Sequence, residues 1–185
     1  LPDVGTGHLA WSLSMELTYG YVDAARQLAR RVLARNPGYD ARLRAAIVLA
    51  TTGDEQEAGE AEEMARTLAA AQPDHTLINA VLVPIVMASA ALGRGQPEAA
   101  IEALGPVAPY ERGFIAAFAP IHLRGQAYLA LRQGRRAAAE FQRILDHRGT
   151  DPFSPFHAVA PLGLARAHRV IGNIAESLDS YERFF

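Results

Sequence analysis

The sequence contains no cysteine. Disulfide bonds, zinc sites built from thiolates and thiol-dependent catalysis are therefore excluded, while the redox compartment stays open. Lysine is absent as well, because all 18 basic residues are arginine. We interpret this preference, together with the abundant alanine, as a bias of genomic base composition. The guanidinium group of arginine also binds a carboxylate through two hydrogen bonds, which the ammonium group of lysine does not.

The chain also has no excess of positive charge. Its formal net charge is -2 and its pI is about 6.3. Domains that bind nucleic acid generally carry a basic patch or stripe that neutralises phosphates. The overall charge therefore disfavours nucleic-acid binding by this segment.

Long apolar runs are missing. The most apolar stretch, Leu77 to Leu92, includes Asn79 and Pro84 and is shorter than the ~20 residues that a membrane-spanning helix needs. No signal peptide is recognisable, so we expect no membrane association and a cytoplasmic location. The sequence begins without Met and stops at Phe185 inside a helical pattern, so we expect it to be part of a longer protein.

Apolar residues recur at intervals of three and four along most of the chain, with glycine or proline between the runs. This pattern predicts one all-α domain of five antiparallel helix pairs, over residues 6–37, 38–73, 74–109, 114–148 and 156–185. Pro84, Pro120 and Pro161 are expected near the starts of first helices, where a missing amide matters least. If the third pair begins near Asp74, Pro84 would instead kink its first helix.

The stretch from Leu123 to Leu145 shows the repeating unit most clearly, as two amphipathic helices joined by a glycine turn. Small, aromatic and aliphatic residues stand at fixed positions in it: Gly125, Tyr128, Ala137, Phe141 and Ile144. This spacing resembles a tetratricopeptide repeat, in which small residues let two helices close and aromatic residues fill the gap between neighbouring pairs. The resemblance implies a right-handed α-solenoid.

Two segments carry a narrower resemblance. AYLALRQGRRAAAEFQRILDHRG (127–149) and PLGLARAHRVIGNIAESLDSYERFF (161–185) resemble the C-terminal repeats of bacterial serine/threonine protein kinases and winged-helix regulators. The resemblance implies a non-catalytic module that binds proteins or self-associates for an effector domain elsewhere. The chain itself has no Gly-rich phosphate loop followed by Lys, no HRD and no DFG motif.

The first helices of stacked pairs line a concave groove, which is the default binding surface of such repeats. The predicted groove positions are Ser14, Thr18, Leu43, Ile47, Ile85, Ser89, His122, Gln126, Arg166 and Arg169. The N-terminal half is apolar and neutral, and the C-terminal end carries Arg and His. This gradient suits a peptide or partner helix with an acidic end.

Two alternatives to groove binding stay open. The groove residues could simply solvate the inner surface, or the chain could self-associate through an exposed apolar end near Phe184 and Phe185. Capture of a chaperone C-terminus is disfavoured. The carboxylate clamp of chaperone-binding relatives needs Lys and Asn at groove positions, and none of the predicted groove residues is Lys or Asn.

Signs of catalysis, metal binding or a cofactor are weak. Asp151, Ser154 and His157 lie within seven residues of one Pro-containing loop, too close in sequence to assemble a triad from separate elements. Asp146, His147 and His157 are metal-ligand types without a metal-site spacing. The acidic run 54–63 is interpreted as a solvated face or, alternatively, as a docking patch for a basic partner. We therefore predict neither an enzyme nor a cofactor.

Overall fold

The computed structural model describes residues 12–184. These residues form helices and turns without any strand, which confirms the prediction of an all-α fold built from helix pairs. The chain divides into two compact units, one ending at Gln96 and the other beginning at Pro97. Trp11 and Phe185, where two of the predicted helices begin or end, lie outside the described residues. That the two units form a single repeat domain stays a prediction.

The first unit is organised around its third helix. Its elements are α1 (residues 12–18), α2 (Val22–Leu33), α3 (Tyr39–Thr52), α4 (Glu55–Ala71), a π-helical turn (Leu77–Leu82) and α5 (Val83–Gly93). Helix α3 packs against α2, α4 and α5, so most of its side chains are covered. The N-terminus of α4 is capped by the carboxylate of Asp54, which accepts a hydrogen bond from the Glu57 amide at 3.0 Å.

Pro84 explains the π-helical turn. In a regular α-helix its ring would clash with the carbonyl four residues earlier, and it offers no amide hydrogen to that carbonyl. The wider turn over Leu77–Leu82 leads directly into α5, and Pro84 falls in the first turn of that helix. Pro84 therefore lies near a helix start, as expected, but the helical path continues on both sides of it.

The second unit contains α6 (Pro97–Ala103), a 3-10 turn (Gly105–Val107), α7 (Ala119–Ala130), α8 (Gly134–Asp146), α9 (Phe156–Ile171) and α10 (Ile174–Glu182). The predicted third pair is thus divided between the units, since α5 belongs to the first and α6 to the second. Pro120 lies in the first turn of α7, as predicted. The expectation for Pro161 is wrong, because α9 begins at Phe156 and Pro161 lies inside it.

Phe141 of α8 is the centre of the second unit's core. Its side chain is completely buried, and glycines face it from both sides. A Cβ atom added at Gly125 of α7 would lie 2.8 Å from the ring, and one added at Gly163 of α9 would lie 2.5 Å from it. Real Cβ atoms do not approach neighbours so closely. The three helices can therefore pack around this ring only because α7 and α9 carry glycine there.

The same turn follows α1, α5, α7 and α9. In each turn the amide of one residue bonds to the carbonyl three positions back, and the next amide bonds to the carbonyl five positions back. This is the Schellman pattern, which needs a left-handed residue. Glycine supplies it at Gly20 (φ +84°), Gly95 (φ +69°) and Gly172 (φ +91°). After α7 the left-handed residue is Arg132 (φ +56°), so the expected glycine turn is in fact made by arginine, and Gly134 begins α8.

Replacing Gly163 by alanine should destabilise the second unit. Overpacking against Phe141 costs about 1–3 kcal/mol, which exceeds the ~0.5–1 kcal/mol that alanine contributes to helix stability. The free energy of unfolding, measured by chemical denaturation followed by circular dichroism, should fall. Gly59→Ala is the control, since Gly59 is interior to α4 and an added Cβ there meets nothing within 4 Å. A Gly163→Ala protein as stable as the Gly59→Ala protein would contradict the packing described for Phe141.

Candidate functional site

Helices α7 and α9 place three of the four predicted groove residues of the second unit around one opening. The open cleft has a volume of about 630 Å³. Gln126, Arg166 and Arg169, all predicted groove residues, line it together with Leu129, Ala130, Val170 and Tyr181. We call this opening the α7–α9 cleft. The lining combines aliphatic side chains with polar and charged ones, a mixture that suits a peptide ligand.

His122, the fourth predicted groove residue of this unit, lies one helical turn before Gln126 and is not among the residues that line the cleft. Its ring lies 4.9 Å from the Phe156 ring and 5.7 Å from the Phe141 ring, measured between centroids. Its Nε2 atom lies 3.3 Å from Nε2 of Gln126, and its buried Nδ1 atom has no hydrogen-bond partner among the described residues. Burial, with a smaller effect of the positive charge of Arg166, lowers the pKa of His122 to about 4. The histidine is therefore a neutral packing residue that positions Gln126.

The two arginines of the cleft differ from the others nearby. Arg166 and Arg169 are exposed, and neither forms an ion pair with a carboxylate of the described chain. In contrast, Arg124 and Arg143 are both held by the buried Glu111 and by Glu140. Glu111 lies in the turns that precede α7, so this four-residue network joins those turns to helices α7 and α8. The cleft arginines remain available for a ligand.

The groove prediction needs correction in the first unit. Leu43, Ile85 and Ser89 are at most 1% exposed, because α3 and α5 pack against each other and are covered by α4. These three residues belong to the core and cannot contact a partner directly. The remaining predicted positions, Ser14, Thr18 and Ile47, are half-buried.

The loop before α9 does not assemble a catalytic triad. The hydroxyl of Ser154 donates to the carbonyl of Ala117 at 2.9 Å, and Nε2 of His157 donates to the backbone carbonyl of Asp151 at 2.8 Å. Neither side chain contacts the other as nucleophile and base must. The Ser154 bond instead fastens this loop to Ala117, and the His157 ring lies 5.1 Å from the Phe118 ring, measured between centroids. Ala117 and Phe118 both adopt left-handed backbone conformations.

The other candidate clusters also have structural partners. His147 bonds through Nδ1 to the carbonyl of Arg143 at 2.8 Å, as expected for a histidine at a helix end. Within residues 12–184, no three His, Asp or Glu side chains form a group that could hold a metal ion.

Most carboxylates of the acidic run 54–63 form ion pairs with arginines of the same unit. Glu57 accepts a hydrogen bond from Nε of Arg26 at 2.7 Å, and Glu62 accepts one from Nη1 of Arg94 at 2.6 Å. Burial alone would raise the pKa of Glu57, but hydrogen bonds from Arg30 and Arg26 lower it below the usual value. These two carboxylates join helices, while Glu60 and Glu63 remain exposed.

Sequence reasoning missed part of the cleft. The apolar spacing of α10 predicts that Tyr181 is a packing residue, whereas it lines the cleft beside the arginines. Val170 follows Arg169 on α9 and was not singled out. No periodic signal could have identified them, because half-buried residues at the edge of a cleft have the same apolar spacing as core residues.

Acid should destabilise the second unit through His122. An unfolded histidine titrates near ~6.5, and the folded pKa is about 4, so the unfolded chain binds more protons between these values. The unfolding free energy should therefore fall as the pH decreases from ~6.5 towards ~4, by up to a few kcal/mol. Denaturation of the wild type and of His122→Gln across this range should show a smaller decrease in the variant. Parallel pH dependences would contradict this assignment.

Comparison with known families agrees with the geometry. The model of the family described as tetratricopeptide repeat matches residues 20–75 and 122–184, which together are more than half of the chain. Searches of curated proteins and of solved structures gave no match. Among the described helices, none combines the length and the apolar character needed to cross a membrane. The chain belongs to the tetratricopeptide-repeat family.

Proposed function

We propose that this chain is a non-catalytic interaction module of a larger bacterial signalling or regulatory protein, and that it binds a peptide or partner helix in the α7–α9 cleft. Tetratricopeptide repeats generally mediate protein–protein interactions and are typically scaffolds rather than enzymes. The signalling context and a cytoplasmic location rest on the resemblance of residues 127–149 and 161–185 to the repeats of bacterial kinases and winged-helix regulators.

One observation carries the proposal. Gln126, Arg166 and Arg169 come from two different helices and line one open cleft together with the apolar side chains of Leu129 and Val170. The arginine side chains can donate paired hydrogen bonds to carboxylates, and the amide of Gln126 can donate to a peptide carbonyl. A peptide with an acidic residue at one end would satisfy all three groups.

Self-association is the second candidate. Ile174 and Leu178 lie one turn apart on α10, and each is 59% exposed. Adjacent exposed aliphatic residues on a repeat helix are the surface on which another helix normally stacks. A second copy of this chain could cover them.

Loss of a partner from a cleft variant tests the first candidate. The wild type and a Gln126→Ala/Arg166→Glu/Arg169→Glu variant would be immobilised and exposed to lysate of the source organism, with captured proteins identified by mass spectrometry. We expect at least one partner that the wild type retains and the variant loses. Since these residues are exposed or half-buried, the variant should remain folded, with each arginine substitution changing stability by about ±0.5 kcal/mol.

The matched control is Arg112→Glu/Arg148→Glu, which reverses two exposed arginines of the same unit outside the cleft. Identical capture by all three proteins would reject the cleft as the binding surface. Light scattering of the wild type and of Ile174→Ser/Leu178→Ser tests the second candidate. A dimer of the wild type that the serine variant abolishes would favour self-association.

A further inference from the structure

A second cleft adjoins the α7–α9 cleft. It has a volume of about 410 Å³ and is lined by residues 132–136 at the turn between α7 and α8 and by Val170 and Ile171 of α9. Val170 lines both clefts, so the two openings adjoin at this residue. We call the second opening the turn cleft.

Five arginines surround the two clefts. Arg132, Arg135 and Arg136 belong to the turn cleft, and Arg166 and Arg169 belong to the α7–α9 cleft. All five are exposed, and none forms an ion pair with a carboxylate within residues 12–184. We call these five residues the arginine surface. Clustered cations repel one another, and a bound anion would offset this repulsion and lower the free energy of the arrangement.

The conformation of Arg132 supports a binding role. The equivalent turns after α1, α5 and α9 use glycine for the left-handed residue, whereas the turn after α7 uses arginine. A side chain in this conformation destabilises the turn. Strained residues of this kind are concentrated at ligand-binding sites, where the side chain has a use.

Arg136 is ordered before any ligand arrives. Its guanidinium carbon lies 5.5 Å from the centre of the Tyr128 ring, and its Nη1 atom donates to Oε1 of Gln133 at 3.0 Å. Neither partner neutralises its charge. A preordered arginine loses less conformational entropy when it binds an anion.

From these observations we propose that the arginine surface binds an acidic protein segment that crosses both clefts, with carboxylates at the arginines and an aliphatic side chain against Val170. This inference rests on the proposed function and extends it to a second cleft and to a defined ligand chemistry. An acidic peptide fits better than nucleic acid because the apolar lining of the clefts is mainly aliphatic, with Leu129, Val170 and Ile171, and includes one aromatic ring, that of Tyr181. Single-stranded nucleic acid is usually held by aromatic side chains on which its bases stack.

Selection from a random peptide library tests the ligand chemistry. The intact chain would be used to select from phage-displayed peptides of about 15 residues, a length that spans ~22 Å as a helix. We expect selected peptides to be enriched in Asp and Glu around aliphatic residues. Affinities of fluorescein-labelled selected peptides, measured by anisotropy, should fall when salt is raised from about 0.1 M to about 1 M, because the Debye length shortens from ~10 to ~3 Å.

Charge reversals in each cleft then test whether both participate. Arg132→Glu/Arg135→Glu and Arg166→Glu/Arg169→Glu should each weaken binding of the selected peptides at least tenfold, or roughly 1.4 kcal/mol, through like-charge repulsion. Arg112→Glu/Arg148→Glu should leave affinity within about twofold. Arg132→Gly should weaken binding while raising the denaturation midpoint, since glycine suits the left-handed turn. Loss of binding in that variant therefore cannot be attributed to unfolding.

The failures of the two proposals are distinguishable. If only Arg166→Glu/Arg169→Glu loses binding, the turn cleft takes no part and this inference is overturned, while the proposed function stands. Selected peptides without acidic residues would also overturn the inference alone. Peptides that bind all cleft variants equally would remove the proposed function as well. A labelled oligothymidine that binds more tightly than the peptides and is lost in the same variants would identify nucleic acid as the ligand instead.

Discussion

The second unit depends on the packing of one aromatic ring between two glycines. Phe141 is completely buried, and Gly125 and Gly163 give α7 and α9 room to approach it. The ring of His122 rests against the same phenylalanine. Because α7 and α9 also carry Gln126, Arg166 and Arg169, the packing of this ring determines the width of the α7–α9 cleft. The core and the candidate site are therefore parts of one arrangement.

Arginine has two distinct uses in this chain. Arg26, Arg94 and Arg124 are bound by glutamates of other helices or turns and serve to join them. Partly covered pairs of this kind fix the relative positions of helices more than they add stability. The five members of the arginine surface have no such partner in the described chain. The absence of a carboxylate partner, combined with a place in one of the two clefts, distinguishes these candidate binding positions from the structural arginines and from Arg112 and Arg148, which line neither cleft.

The Schellman turns show the same distinction between structural positions and candidate binding positions, here in the backbone. Three of them have glycine in the left-handed conformation, which glycine adopts without steric strain. The fourth places Arg132 there, next to a cleft lined by two further arginines. A local preference is thus broken beside a group of exposed arginines. Departures from local preference at one position among equivalent ones are expected at functional sites.

The sequence by itself determined the all-α class, the helix pairs and the small and aromatic packing positions, because apolar periodicity and glycine or proline punctuation are local signals. The repeat register also singled out Gln126, Arg166 and Arg169, which line the α7–α9 cleft, but register alone does not distinguish groove positions from core positions. Only the tertiary structure decided that Leu43, Ile85 and Ser89 are core residues and that the turn cleft adjoins the α7–α9 cleft. Burial and charge pairing depend on contacts between helices far apart in sequence, which no periodicity encodes.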